Sequence, residues 1–303
     1  MDLSLNEKIK KLKEEKNAII VAHYYQRDEV QAVADAVGDS YYLSKIAKDC
    51  SEQVIVFCGV KFMAESAKIL SPEKTVLLPS LDAGCPMADM AEAEDVLKLK
   101  SKYPNAKVVC YINSSAEVKA VSDVCCTSSN AIKIVSSLPD KDIIFIPDKN
   151  LGAYVQEQLP DKNIILWNGF CITHKKVSAA EVLKSKEVHK DIKVLVHPEC
   201  EKEVRDLADF LGSTGEIITY VNKSSDKKFL IVTEEGVLYE LKNKNTDKQF
   251  FTPYGSMCCV NMKKTRLEDV YDSLHNMQYE INLDEEIRTK AYNSLMNMHK
   301  LGR

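Results

Sequence analysis

The stretch that decides the fold follows an apolar run at residues 163–167 and reads Asn168-Gly169-Phe170-Cys171-Ile172-Thr173-His174. Its cysteine has two counterparts in the chain. Cys85 lies 86 residues before Cys171, and Cys259 lies 88 residues after it. Each of these cysteines follows a strand-like run. The spacing indicates an internal repeat, which must be tested first because a repeat decides the whole architecture.

Three further features recur with the same step. Apolar strands end in polar residues that are separated by 88 and then 86 residues, at His23, Tyr111 and His197. Hydroxyl-rich turns follow with the same two separations, at Ser40, Ser128 and Thr214. A second apolar strand recurs at 54–57, 143–146 and 229–232. Four features that keep one step predict three repeated units.

The bulk composition limits the classes of protein. A chain of 303 residues with 45% apolar and 28% charged residues is large enough for two or three small domains. The net charge is −4 and both signs are interspersed along the chain, so we expect no nucleic-acid partner and no anionic membrane surface.

The predicted location is cytoplasmic. The first eight residues lack the apolar core of a signal peptide, and no run approaches the roughly 18 apolar residues that a membrane helix needs. Ten cysteines in such a chain are more typical of reduced thiols or metal ligands than of a disulfide framework.

The secondary-structure pattern predicts an α/β fold. Continuous apolar strands alternate with helices of about ten residues, which is typical of parallel sheets covered by helices on both faces. We therefore expect three α/β/α sandwich domains, related by a pseudo-threefold axis around a central active site. The predicted boundaries are 1–88, completed by C-terminal helices at 265–303, then 89–175 and 176–264. In the first unit, the pattern predicts one helix over 28–37 that ends at Gly38.

Polar side chains stand where the first strand of each unit ends. In open parallel sheets, ligands bind beyond the carboxyl ends of the strands. A threefold arrangement therefore predicts one central cavity, onto which the following residues converge together with the three cysteines: His23, Tyr25, Tyr111, Asn113, His197 and Glu199.

Three chain-distant thiolates can hold a metal in two ways. The first possibility is a zinc site in which Cys171 and His174 form a ligand pair. Structural zinc, however, usually has four ligands and a C-x2-C knuckle, which this chain lacks. An iron–sulfur cluster is the other, and soft thiolates favour it. With only three cysteine ligands, one iron stays open to bind substrate as a Lewis acid.

The hydroxyl-rich turns carry a second signal, because each reads as a helix start. Helix N-termini bind phosphate or carboxylate, whereas a single turn of this kind is more often an ordinary N-cap. Three turns that face one cavity favour the first interpretation. The implied ligand is a small polyanion.

Several motifs over nearly the whole chain resemble the quinolinate synthase family, also called quinolinate synthetase A. The matching segments are Val21-Ala22-His23-Tyr24-Tyr25-Gln26, Gly38-Asp39-Ser40, Asp82-Ala83-Gly84-Cys85-Pro86-Met87-Ala88, Tyr111-Ile112-Asn113, Cys126-Thr127-Ser128-Ser129-Asn130, Gly169-Phe170-Cys171-Ile172-Thr173-His174, His197-Pro198-Glu199-Cys200 and Gly212-Ser213-Thr214.

The resemblance implies a [4Fe-4S] enzyme that condenses iminoaspartate with dihydroxyacetone phosphate to quinolinate in NAD biosynthesis, with loss of phosphate and two waters. It also implies functional coupling to L-aspartate oxidase and leaves a homodimer open. By motif, the cluster ligands are Cys85, Cys171 and Cys259, the last in preference to Cys258. This chain lacks the C-x-x-C-x-x-C run of some relatives, so we do not expect their redox-regulatory disulfide.

The resemblance assigns the remaining roles. It assigns the catalytic acid and base role to Glu199, with Tyr25, Tyr111 and His197 as further catalytic residues. The predicted substrate-binding residues are His23, Ser40, Tyr111, Asn113, Ser128, His174, His197, Glu199, Ser213 and Thr214. Two rival interpretations stay open, namely a non-catalytic sensor of oxygen or iron and a zinc phosphoesterase.

Overall fold

A computed structural model of the chain describes residues 3–253, 255 and 257–302. The outer ends of the predicted first domain, residues 1–2 and 303, lie outside this part of the chain. The described residues form three four-stranded sheets, in which every strand pair is parallel. Helices flank each sheet, so the predicted class of three α/β/α sandwiches is confirmed.

The first unit carries the sheet with strand order β2-β1-β3-β4. Its elements in chain order are α1 (Leu5–Glu15), β1 (Ala18–His23), α2 (Asp28–Val33), β2 (Ala36–Gly38), α3 (Ser40–Asp49), β3 (Val54–Cys58), α4 (Lys61–Leu70) and β4 (Thr75–Leu77).

The second unit repeats this plan with strand order β6-β5-β7-β8. Its elements are α5 (Ala93–Lys102), β5 (Lys107–Tyr111), α6 (Ala116–Ala120), β6 (Val124–Cys126), α7 (Ala131–Ser137), β7 (Asp142–Ile146), α8 (Lys149–Gln158) and β8 (Asn163–Leu166).

The third unit has strand order β10-β9-β11-β12. Its elements are α9 (Ala179–Val188), β9 (Lys193–Val196), α10 (Lys202–Arg205), β10 (Phe210–Leu211), α11 (Thr214–Lys223), β11 (Lys228–Val232), α12 (Val237–Lys244) and β12 (Gln249–Phe251).

Short edge strands correct one part of the sequence prediction. The helix expected over 28–37 ends at Val33, and Ala36–Gly38 form β2, which pairs with Val21–His23. Gly38 therefore ends a strand and does not cap a helix. The reason is tertiary, since two or three residues show no periodicity of their own and become a strand only beside β1. The same holds for β6 and β10, which are the short edge strands of the second and third sheets.

Two C-terminal helices, α13 (Leu267–Asn276) and α14 (Glu285–Leu301), follow the third unit. Helix α13 packs against α1 and β3, whereas α14 packs against α4 and also against α6 and β6 of the second unit. The apolar core is continuous between the first and second units and includes Leu295 and Met298 of α14. The domain boundaries predicted from sequence remain a proposal.

The order and direction of the strands bring the site residues together. Within each unit, the first strand lies between the short edge strand and the second long strand. Because all strands of a sheet run in the same direction, their carboxyl ends meet at one edge.

In the described part of the chain, no helix is both long enough and apolar enough to cross a membrane.

Candidate active site and metal centre

One cavity lies where the carboxyl ends of the three sheets meet. The predicted site residues that line it are His23, Tyr25, Ser40, Cys85, Tyr111, Asn113, Ser128, Cys171, His174, His197, Glu199, Thr214 and Cys259. All three units contribute, and so do all three of the repeated cysteines. Cys258 is not part of this lining.

Ser213 lies beside this cavity, in a neighbouring depression that also contains Asp39 and Glu216. Its hydroxyl accepts the amide N–H of Glu216 at 3.3 Å, and the carboxylate of Glu216 accepts the N–H of Ser213 at 2.8 Å. This reciprocal pair is a capping box at the start of α11. The Ser213 side chain is therefore engaged in capping the start of α11, and Thr214 is the hydroxyl residue that lines the cavity.

Glu199 is a carboxylate of the cavity lining, and it is 3% exposed. Its Oε2 atom lies 2.7 Å from Nδ1 of His174 and 3.8 Å from Nδ1 of His197. The two imidazole rings stack with their centroids 4.7 Å apart. Tyr111 donates a further hydrogen bond to the same carboxylate.

The surroundings of Glu199 keep it ionised. Burial alone would raise its pKa, because desolvation penalises the charged form. The charge and hydrogen bond of His174, with smaller contributions from His197 and Tyr111, outweigh burial and lower the pKa to about 2. Glu199 is therefore ionised at pH 7, the form that a general base needs, although a pKa this low also makes it a weak base.

A chain of hydrogen bonds links His174 to the first and third units. Its Nε2 atom lies 2.9 Å from Oγ1 of Thr233, which lies 2.8 Å from the hydroxyl of Tyr25. The Tyr25 hydroxyl lies 2.7 Å from Oγ1 of Thr214. Burial, helped by the charge of Glu199, raises the pKa of both Tyr25 and Tyr111 well above the ordinary value. Both phenols are therefore neutral and able to donate hydrogen bonds.

His23 and His197 occupy equivalent positions at the ends of β1 and β9. In each, Nδ1 accepts a backbone N–H two residues further on, from Tyr25 at 3.1 Å and from Glu199 at 3.3 Å. Burial lowers the pKa of both histidines to about 3, against the raising effect of Glu199. Both rings are therefore neutral at pH 7. Nε2 of His197 lies 3.3 Å from the hydroxyl of Ser128.

Two long helices begin at the cavity wall. Helix α3 starts at Ser40 with Asp39 as its N-cap, and α11 starts at Thr214. The turn before α7 supplies Thr127 and Ser128. Free N–H groups and the helix dipole favour negatively charged ligands at such positions. The cavity can therefore bind carboxylate or phosphate groups.

The three cysteines of the cavity are free thiols, as are the other seven. Cys85, Cys171 and Cys259 are partly buried, whereas most of the others are fully buried small hydrophobes. Desolvation raises the pKa of Cys85 to about 12 and also raises those of Cys171 and Cys259. Thiols in such surroundings ionise only when a cation compensates the charge, which is what a bound metal does.

The cavity offers donors for a metal. Sγ of Cys171 lies 3.2 Å from Nδ1 of His174. One donor atom each from Cys171, His174 and Glu199 lie within 4.8 Å of one another. Three thiols from three units fit a thiolate-held cluster, and the Cys-His-Glu group is the alternative that zinc would use.

Sequence reasoning missed two buried carboxylates near the cysteines. Glu234 follows β11 and lines the cavity, and Asp148 follows β7 and accepts the backbone N–H of Cys171. Burial raises the pKa of Glu234 to about 7 although Lys263 lies nearby. The two acids are 86 residues apart, so the repeat that located the cysteines contained the signal for them.

These features define an α/β protein with one central site that combines an anion-binding cavity, an acid–base carboxylate and thiols suited to a metal. The chain belongs to the Quinolinate synthetase A protein family, whose model matches residues 7–300.

Relatives that match over nearly the whole chain are named quinolinate synthase. A quinolinate synthase of Clostridium perfringens strain SM101 is 64% identical over 300 residues, which cover 99% of this chain and 100% of the relative. Relatives from Clostridioides difficile strain 630 and Caldicellulosiruptor bescii, both named quinolinate synthase, are 60% and 59% identical. These two matches cover 99% and 98% of this chain and the same shares of the relatives.

Proposed function

We propose that this chain is a transferase of NAD biosynthesis that condenses iminoaspartate with dihydroxyacetone phosphate to form quinolinate. The reaction releases phosphate and two waters. The observation that carries the proposal is the convergence of Cys85, Cys171 and Cys259 with the Glu199–His174 pair in one cavity. Family membership over residues 7–300 supports the same assignment.

The proposed cofactor is a [4Fe-4S] cluster held by these three cysteines. The donor set suits it, because the thiols are free, come from three units and need a cation to ionise. When bound, the cluster supplies an iron without a protein thiolate, which acts as a Lewis acid on a substrate hydroxyl or carbonyl.

Glu199 is the proposed acid and base. Its ionised carboxylate takes a proton from a carbon or nitrogen of the bound substrate, and His174 at 2.7 Å holds the carboxylate in place. Tyr25, which is neutral, donates its hydrogen bond to a substrate oxygen that gains negative charge, while Tyr111 keeps its single O–H on the Glu199 carboxylate. Glu199, His174 and Tyr111 are buried, and electrostatic interactions are stronger in such surroundings than in water.

The polar wall binds the anionic ends of the substrates. The residues with this role are His23, Ser40, Asn113, Ser128, His197 and Thr214. Within the described residues, the buried Oδ1 atom of Asn113 has no hydrogen-bond partner. A buried acceptor without a partner is costly, so a donor group of the substrate is the natural occupant.

The proposal extends to the setting of the reaction. Ten free cysteines suit a reducing compartment, and we place the enzyme in the cytoplasm. Functional coupling to L-aspartate oxidase, the source of iminoaspartate, belongs to the same proposal. A homodimer remains open.

The test is metal and sulfide analysis of anaerobically prepared protein, followed by assay of quinolinate formation. We expect about four irons and four sulfides per chain, as a cubane cluster requires. Zinc without iron or sulfide would instead favour the Cys171-His174-Glu199 group as a mononuclear site and would defeat the cluster assignment. A bound cluster without quinolinate formation would favour a sensor.

A further inference from the structure

The three cysteine loops are built alike. After the second long strand of each unit, one backbone N–H donates to the carbonyl two residues before the cysteine. The three bonds are Lys61 to Ala83 at 2.8 Å, Lys149 to Gly169 at 2.9 Å and Glu235 to Met257 at 3.1 Å. The residues just before these three donors are therefore structurally equivalent: they are Val60, Asp148 and Glu234.

In two units the residue at this equivalent position has a carboxylate that accepts the backbone N–H of the cysteine. Oδ2 of Asp148 accepts the backbone N–H of Cys171 at 3.2 Å, and its Oδ1 accepts the N–H of Leu151 at 2.7 Å. Oε1 of Glu234 accepts the N–H of Cys259 at 3.0 Å, and its Oε2 accepts the N–H of Gly236 at 2.7 Å. Both side chains are 0% exposed.

The first unit lacks a side-chain acceptor at this position. Val60 is buried in the apolar core and its side chain has no acceptor atom for the loop that carries Cys85. The three otherwise equivalent cysteine loops therefore differ in whether the side chain at this position accepts the backbone N–H of the cysteine.

The third loop is tied further to the first unit. Nζ of Lys263 lies 3.2 Å from Oε1 of Glu234 and donates to the carbonyl oxygen of Tyr25 at 2.7 Å. Glu234 thus connects the backbone of Cys259 with the segment that carries a proposed hydrogen-bond donor of the site.

We propose that Asp148 and Glu234 are positioning residues, which hold the backbones of Cys171 and Cys259 in place for the cluster while Cys85 is held less firmly. This inference rests on the proposed function for the identity of the metal group. Only a carboxylate suits both positions, because each accepts one N–H on each oxygen. An amide of the same shape has only one acceptor oxygen. Its NH2 group would face the second backbone N–H, and two donors cannot form a hydrogen bond.

The first experiment needs no variant and no metal. Hydrogen exchange is followed on the full-length, metal-free protein by mass spectrometry, with fragmentation that resolves the cysteine amides. We expect the amides of Cys171 and Cys259 to exchange at least about fivefold more slowly than that of Cys85, since one additional hydrogen bond contributes about 1 kcal/mol or more. Equal exchange at the three cysteines would overturn the proposal.

The second experiment uses Asp148→Asn and Glu234→Gln, with Asp209→Asn as the matched control. Asp209 also accepts a backbone N–H, from Val194 at 2.8 Å, but it lies at the opposite end of β9 from the cavity. Iron release to a ferrous chelator is measured on anaerobically reconstituted protein. We expect release about 10- to 100-fold faster in the two test variants, as for other residues that orient metal ligands, and parent-like release in the control.

The two experiments separate the possible failures. If the test variants unfold at lower temperature while the folded protein releases iron at the parent rate, both acids are merely structural and the proposal fails. If the parent binds no iron, the proposed function fails, yet the exchange measurement still decides whether the two carboxylates hold the cysteine amides.

Discussion

Nδ1 of His174 lies 2.7 Å from Oε2 of Glu199, although the two residues follow strands of different sheets, β8 and β9. The same nitrogen lies 3.2 Å from Sγ of Cys171. One imidazole therefore contacts both the proposed acid–base group and a proposed metal ligand. The ring therefore lies between a carboxylate that follows β9 and a thiol that follows β8.

The first prediction concerns the charge of Glu199. The change Glu199→Gln keeps the size of the side chain but removes its ability to accept a proton, so we expect quinolinate formation to fall about 10²- to 10⁴-fold. Iron content and ligand binding should stay close to those of the parent. The measurement is steady-state turnover alongside iron analysis.

The control for this prediction is Glu203→Gln, a change at an exposed position of α10. It should leave turnover unaffected. Parent-like turnover in Glu199→Gln would remove this residue from the catalytic role, and loss of iron in that variant would mean that Glu199 supports the metal instead.

The second prediction distinguishes two adjacent cysteines. Cys259 lines the cavity, whereas Cys258 does not. We expect Cys259→Ala to lose the cluster absorption and most of the iron, because a cluster with two thiolates is poorly held. Cys258→Ala should retain both. The reverse result, measured by absorption spectra and iron analysis, would move the ligand by one residue.

The third prediction concerns anion binding by Ser128. Its hydroxyl lies 3.3 Å from Nε2 of His197 at the cavity wall. A hydrogen bond to a charged group contributes about 1.5–3 kcal/mol, so Ser128→Ala should raise the KM for dihydroxyacetone phosphate or iminoaspartate roughly 10- to 100-fold. Ser136→Ala, at an exposed position of α7, is the control. An unchanged KM for both substrates would place Ser128 outside the binding site.

The fourth prediction is a pH dependence of folding stability. Burial lowers the pKa of His197 from an ordinary value of 6.5 to about 3 in the folded chain. The unfolded chain therefore binds the proton first, and stability present above pH 6.5 is lost as the pH falls toward 3. At pH 5 this one residue should reduce the free energy of unfolding by about 2 kcal/mol relative to pH 7.

The measurement is urea unfolding of the metal-free protein between pH 7 and pH 5. The change His197→Gln should remove that part of the decrease, while His23, whose pKa burial also lowers to about 3, continues to contribute. His275→Gln, at an exposed position, is the control. A decrease of the same size in His197→Gln and in the parent would contradict the assignment.

The repeat, the α/β class and most of the cavity lining were predictable from the sequence. Strand-forming apolar runs and helix caps are local patterns, and a duplicated unit repeats them at a constant step, so His23, Tyr111 and His197 could be aligned by counting. Because strand ends in a parallel sheet share one edge, the aligned residues had to meet.

Tertiary structure alone decided the rest. The short strands β2, β6 and β10 exist only through pairing with their neighbours, and the side chain of Ser213 is directed into a helix cap. The bonds from the cysteine backbones to Asp148 and Glu234 join segments more than twenty residues apart. A hydrogen bond between distant segments leaves no periodicity in the chain, because it depends on where the packed units bring their loops.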